Sequence, residues 1–263
     1  MPVSTEAVPS VRGATGDGRR QARIGLLLVA AIIGGWAVTL AWGLLFHPLT
    51  TAGWIAAPLV VALQCWLNTG LFIVAHDCMH GSLAPGRPRL NRAIGRLSLA
   101  LYAGFSFDRL LPCHHAHHRH AGTEDDPDFD AAHPDRFWPW YFTFLRRYFG
   151  WREFAAMALI SWTGLLVLGV PPARLLLFWA LPAILSSLQL FRWGTWLPHR
   201  HEATAFADHH RARSSPRGIL YTLLTCFHFG LHHEHHLRPG LPWWALPAFS
   251  RARRGRDMAR RAA

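Results

Sequence analysis

Apolar residues come in membrane-length runs along this chain, not at the spacing of a soluble core. The first run, residues 24–46, has the length of a transmembrane helix and is too long for the apolar core of a cleaved signal. Arg19-Arg20 precedes it in the manner of a twin-arginine signal, but the length of the run makes it a retained span. A second run, 52–75, ends directly on His76. A third stretch, 93–107, is interrupted by Arg96 and holds Ser and Gly; it is too short to span and reads as an interfacial or re-entrant helix. Residues 154–170 and 175–197 form the third and fourth spans, joined by Pro171-Pro172, with a kink expected at Pro182. A short apolar segment, 219–230, leads to a last histidine cluster.

Residues 1–23 show no periodicity and read as a mobile N-terminal tail. Residues 119–140 are rich in Asp, Pro and Trp and suit an aqueous loop against the membrane surface. Residues 251–263 read as a basic C-terminal tail, which leaves one membrane domain over 24–250. The pattern therefore predicts an all-α integral membrane protein, with four transmembrane helices and a helical cap that carries a histidine-rich site.

Composition sharpens this. The chain is 51% hydrophobic with a formal net charge of +12, and all its basic residues apart from histidine are Arg. The arginines flank apolar runs, as at Arg19, Arg20 and Arg23 and at Arg251, Arg253 and Arg254, so they read as contacts to anionic lipid and as an orientation signal. No nucleic-acid-binding motif accompanies the charge. Loops 47–53 and 171–173 carry no Arg, whereas the tails and the long middle segment carry nearly all of it. The positive-inside rule then puts both termini in the cytoplasm of a multi-pass protein of the inner membrane. Span two exits there at His76, and spans three and four return there near His199.

Three histidine clusters fall on that side. His76 and His80 are four residues apart, which on a helix stacks them on one face. His114, His117 and His118 are spaced i, i+3, i+4, and His232, His235 and His236 repeat the pattern. One HxxxH is weak evidence; with two HxxHH clusters on the same membrane face it indicates a single metal site with these eight imidazoles as ligands. His199, at the cytoplasmic end of span four, is placed to give a ninth. His115 and His233 lie off the shared faces and read as hydrogen-bond partners of ligands or substrate-facing groups, and His201 and His228 are weaker candidates. His47 falls on the opposite side and is excluded; His120, His133, His209 and His210 read as loop histidines.

Other readings fit less well. A metal-sequestering histidine tract needs neither helical spacing nor membrane edges. A structural zinc site closes with four ligands, whereas eight imidazoles suit two metals; zinc also lacks redox chemistry, while imidazole suits iron. A channel would place ionisable groups inside the spans, which contain almost none. Cys65, Cys78, Cys113 and Cys226 form no CxxC pair and read as buried thiols, although Cys78 and Cys113 could be soft ligands. Acids recur beside the clusters, among them Asp77, Asp108, Glu124, Asp125, Asp126, Asp128, Glu202 and Glu234. Metal-bound imidazoles donate their other N–H to such groups. Asp77 and Glu234 sit closest to the ligands, Asp108, Asp125 and Asp126 are further candidates, and a bridging carboxylate remains open.

The residues 72–83 (FIVAHDCMHGSL), 114–129 (HHAHHRHAGTEDDPDF), 194–199 (GTWLPH) and 227–247 (FHFGLHHEHHLRPGLPWWALP) resemble the membrane fatty acid desaturase/hydroxylase superfamily, and in detail its bacterial β-carotene ketolases, over roughly 25–250. That resemblance implies a non-haem di-iron centre held by the boxed histidines and oxidation of the β-ionone ring at position 4, with dioxygen as co-substrate. Two hydroxylations of one carbon and loss of water would take β-carotene to echinenone and canthaxanthin, and zeaxanthin to astaxanthin. It implies electrons from a separate ferredoxin-like donor, because no Gly-rich flavin or nicotinamide motif is present; a basic cytoplasmic face suits an acidic donor. From the residues alone, Trp138, Trp140, Trp243 and Trp244 could line a path for a polyene from the bilayer, or form an interfacial aromatic belt. The competing functions are a carotenoid ring hydroxylase, a fatty-acyl desaturase, and a non-catalytic membrane metal-binding protein.

Overall fold

The computed structural model describes residues 15–48 and 50–262; residues 1–14 of the expected tail lie outside it. Ten helices organise the described residues, and no strand occurs among them. Helix α1 runs Thr15–Ala41 and continues as a π-helical segment, Trp42–Phe46. It takes in residues 15–23, which the sequence assigns to the tail. The cause is a tertiary anchor that no local pattern shows: Ala22 is buried, and Gln21 Nε2 donates to the Ser82 carbonyl at 2.6 Å. Helix α2, Thr51–Met79, begins at Thr50, whose Oγ1 accepts from Gly53 N–H and caps the first turn.

Helix α3, Pro88–Ala103, runs back alongside α2, bringing the Tyr102 ring within 5.6 Å of Phe72. It ends on Gly104 at φ +70°, a left-handed cap that a Cβ would strain. The chain then reverses into α4, Phe107–His120. The stretch read as an interfacial or re-entrant helix is helical over most of its length and forms one arm of a hairpin laid against a span. Helix α5 covers Phe137–Tyr148; α6 covers Trp151–Trp162 and continues as a π segment, Thr163–Val167. Helix α7 spans Pro172–His199, α8 Ile219–Cys226, α9 His232–Leu237 and α10 Leu246–Ala262. Helix α10 covers most of what the sequence reads as a basic tail.

Three helices are long and apolar enough to cross a bilayer: Gly18–Phe46, Thr51–Met79 and Pro172–His199. Their outward side chains are apolar, with Leu27, Val38, Ile55, Leu59 and Leu176 all exposed, as a hydrocarbon environment permits. The expected third span forms 12 α-helical residues and five in a π segment, as long as its apolar run but set three residues toward the N-terminus, and it is much shorter than these three helices.

The expected kink at Pro182 takes a specific form. A π segment, Leu176–Ala180, ends two residues before Pro182, and another, Phe191–Trp196, ends two residues before Pro198. A wider turn there relieves the clash of the proline ring with the preceding turn and absorbs the missing N–H.

The core packs α1, α2, α3 and the 226–229 turn, with Leu71, Ile73, Leu99 and Phe227 almost wholly buried. Gly70 lets α1 and Phe227 approach α2: a Cβ there would lie 2.8 Å from Phe227 Cζ and 2.9 Å from Ile32 Cγ2. Gly70→Leu is therefore expected to destabilise the protein by about 2 kcal/mol through overpacking, read as a lower midpoint of thermal unfolding in detergent.

Candidate metal centre

The eight imidazoles singled out by spacing, and His199 singled out by its position, converge at the ends of α2, α4 and α7 and on α9. They fall into two groups, each with ligand nitrogens within 4.8 Å of one another: His76, His80, His114, His118 and His235 in one, His117, His199, His232 and His236 in the other. The groups adjoin; the His118 ring stacks on His236 at 4.3 Å. The i, i+4 pairs 76/80, 114/118 and 232/236 each stay together, whereas the i+3 members, His117 and His235, cross to the opposite group. Each HxxHH box therefore serves both groups, a division that the shared helical face alone does not reveal.

The donor chemistry fits metal ions. Within the groups, His114 Nε2 lies 2.7 Å from His80 Nε2, His235 Nε2 lies 3.0 Å from His118 Nε2, and His236 Nε2 lies 3.1 Å from His232 Nε2. Both nitrogens of His76, Nε2 of His199, and Nδ1 of His232 and His236 are buried without a hydrogen-bond partner. Buried polar atoms are normally paired, so such a concentration of unpaired nitrogens is costly unless a cation sits among them. Imidazole donors select divalent transition metals over calcium or magnesium. Burial, then the charges of neighbouring imidazoles, depress the pKa values of His114, His118, His232, His235 and His236, and bring His80 down to about 3. These rings are neutral at physiological pH, which is the form that binds metal.

Hydrogen bonds fix two of the rings. His199 Nδ1 donates to the Arg211 carbonyl at 2.8 Å, so Nε2 is the acceptor nitrogen. His117 Nδ1 donates to both oxygens of Asp126 at 3.0 Å, and Asp126 is itself oriented by the N–H groups of Gly122 and Asp128. Burial disfavours a charge on His117, but the hydrogen bond and charge of Asp126 outweigh it and raise the pKa; burial likewise disfavours charge on Asp126, and His117 pulls it below its ordinary value. Asp126 thus orients the His117 ring, and His117, Asp126 and Asp128 form a third, smaller group of potential ligand atoms within 4.8 Å of one another. Asp126→Asn, which keeps the shape and removes the charge, is expected to weaken metal binding about 10- to 100-fold in competition with a chelator.

The other candidates fall outside both groups. Asp77 accepts from Trp243 N–H at 3.1 Å and ties α2 to the 243–245 turn. Glu234, fully buried, accepts from Ser214, Ser250 and Arg253 and anchors α9 to α10. His233 donates to Asp208 at 2.7 Å, His228 pairs with Thr222 Oγ1 at 2.9 Å, and His201 packs on Phe129. His115 is exposed and donates to the Met79 carbonyl at 3.2 Å. Two acids belong elsewhere: Asp108 is held at the surface between Arg92 and Arg96, and Asp125 is exposed. No cysteine joins either group among the described residues.

An apolar cavity opens against both groups. His76, His114, His117 and His232 form one wall, and Phe72, Tyr102, Phe105, Phe144, Phe191 and Phe229 supply much of the rest. The four Trp considered for this role do not line it: Trp140 is buried behind Phe191, Trp243 packs on Phe227, Trp244 is half-buried against the main core, and Trp138 is 57% exposed. Sequence reasoning misses Tyr148, whose hydroxyl donates to Asp128 at the cavity wall. No motif marks it, since the two residues lie 20 apart on separate elements.

Comparison with known proteins gives the same direction. A β-carotene ketolase of Paracoccus sp. (strain PC1) is 50% identical over 241 residues, covering 89% of this chain and 94% of that protein. A second, from Paracoccus sp. (strain N81106 / MBIC 01143), is 56% identical over 184 residues, 70% of this chain and 74% of that protein. A zeaxanthin 4-ketolase of Chlamydomonas reinhardtii is 37% identical over 247 residues, 89% of this chain and 55% of that protein. The fatty acid desaturase family model matches residues 52–154 and 142–262. With that match over most of its length and its histidines gathered where the spans end, the chain belongs to the fatty acid desaturase family.

Proposed function

We propose that the protein is a membrane carotenoid ketolase that oxidises carbon 4 of β-ionone rings, and that its nine clustered imidazoles hold two non-haem irons, five on one and four on the other. The cavity carries this reading: it offers an apolar ring an aromatic enclosure whose one wall is made of histidines from both groups. The names of the bacterial relatives at 50% and 56% identity support the substrate class.

Two irons bound there would supply the activation of dioxygen, with two electrons per oxidation from a ferredoxin-like donor. The chain's own work is to present neutral lone pairs, hold His117 and His199 in one tautomer, and keep water from the ring through the aromatic walls. Two successive hydroxylations of the ring CH₂ give a gem-diol, which loses water to leave the ketone. Arg251, Arg254 and Arg256, exposed on α10, give an acidic donor a complementary face. We place α6 as a further span, third of four in chain order, with both termini and the histidines on the cytoplasmic side of the inner membrane and the helical elements around them as a cap.

Expression in a β-carotene-producing bacterium tests the reaction. Pigments gaining one or two keto groups by mass are expected. Hydroxylated carotenoids alone would indicate a ring hydroxylase, altered acyl chains a desaturase, and zinc without any conversion a non-catalytic metal-binding protein.

A further inference from the structure

A second cavity lies deeper between the spans, lined by Trp36, Gln64, Asn68, Tyr102, Met157 and Ala183 among others. Tyr102 borders both cavities, and its ring meets Phe72 of the first edge-on at 5.6 Å. Gln64, Asn68, Phe72, His76 and His80 follow one another at four-residue spacing on α2, so Gln64 lies about 18 Å along the axis from His76. One cavity therefore continues the line of the other, away from the histidines and into the apolar slab.

The polar groups of this second cavity are unequal. Asn68 is satisfied: Oδ1 accepts from Trp36 Nε1 at 3.1 Å, and Nδ2 donates to Ser186 Oγ at 2.8 Å. Gln64 is 2% exposed, and its Oε1 is buried with no partner. A vacant amide oxygen inside a membrane span is costly, and such groups are kept where a ligand supplies the missing donor. The cavity is also reached from the side, since Ile160 of α6 and Ala100 of α3 border it and are exposed on the apolar flank.

Resting on the ketolase reading above, we infer that this second cavity is a subsite for the far end of the carotenoid, and that Gln64 Oε1 accepts a hydrogen bond from a hydroxyl on the far ring. The ring under oxidation sits against the histidines, Tyr102 turns aside to pass the polyene, and the far ring comes to rest beside Trp36 and Gln64. A hydroxylated far ring is then held better than a bare one.

A carotenoid hydroxylated on one ring only can bind in two directions, so the position of its new ketone reports the preference. Gln64→Leu is expected to shift oxidation toward the hydroxylated ring roughly fivefold, the effect of one neutral hydrogen bond. Iron-free protein in detergent gives a reading without turnover: wild type should retain the hydroxylated pigment over β-carotene, Gln64→Leu should lose that preference, and Ala183→Phe, which fills the cavity, should retain neither. Wild-type iron loading of each variant confirms its fold. An unchanged ketone ratio with unchanged retention in Gln64→Leu, or wild-type retention and conversion in Ala183→Phe, overturns the subsite. If the wild type forms no ketone from any carotenoid, the ketolase reading fails, and pigment retention still decides the cavity.

Discussion

Alanine in place of His235 ends ketone formation while the protein still reaches the membrane. The loss should exceed about a hundredfold, the upper effect of removing a mere hydrogen-bond partner of a metal ligand. His235 is fully buried in the five-histidine group, its Nε2 is 3.0 Å from that of His118, and its ring faces His76 and His80. The fold should survive, because α9 is held by Glu234 through Ser214, Ser250 and Arg253, none of which touches the His235 ring. Iron measured on the purified variant should fall mainly at one of the two groups, since the other keeps all four imidazoles. His117→Ala should be equally inactive, but it also leaves Asp126 buried without its partner, so its stability suffers more. Wild-type product from either variant would remove these residues from the ligand set.

Helical spacing made eight of the nine histidines legible, because stacking at i, i+4 is a local property of the chain, and His199 was legible from its place at the end of an apolar run. Their division into two groups was not, because it depends on how α4 and α9 face each other across α2. The acids show the same limit. Asp126 and Asp108 look alike in sequence, each a few residues from a box, yet one orients His117 and the other is taken up by Arg92 and Arg96 from the neighbouring helix. The cavity walls come from α2, α3, α4, α5, α7 and α9 together, so the tryptophans, conspicuous by type, mislead, while Phe72, Tyr102 and Tyr148 carry no local mark. The apolar run 154–170 predicts a full span, but α6 starts at Trp151 and ends in a π segment by Val167. The first helix starts before its apolar run because of a bond from Gln21 to a loop more than sixty residues away.

Acidifying the iron-free protein from pH 7 to 5.5 should destabilise it steeply, on the order of several kcal/mol. Six imidazoles outside the spans, His80, His114, His118, His232, His235 and His236, have folded pKa values below the ordinary 6.5 because burial and their neighbours oppose a charge. In the unfolded chain each titrates near about 6.5. Below that pH the unfolded state binds protons that the folded state does not, so stability falls as pH falls, by up to about 1.4 kcal/mol per pH unit for each group. His117 acts in the opposite sense, since its raised folded pKa adds stability in acid, but it is one group against six. Bound metal changes the outcome, because it ligates only neutral rings in the folded state and must be displaced before they protonate. Thermal unfolding in detergent should therefore show a midpoint that drops steeply with pH for chelator-treated protein and much less for iron-loaded protein. A flat midpoint in the chelated sample would mean that the imidazoles are not held neutral and buried, and the two-group geometry would fall with it.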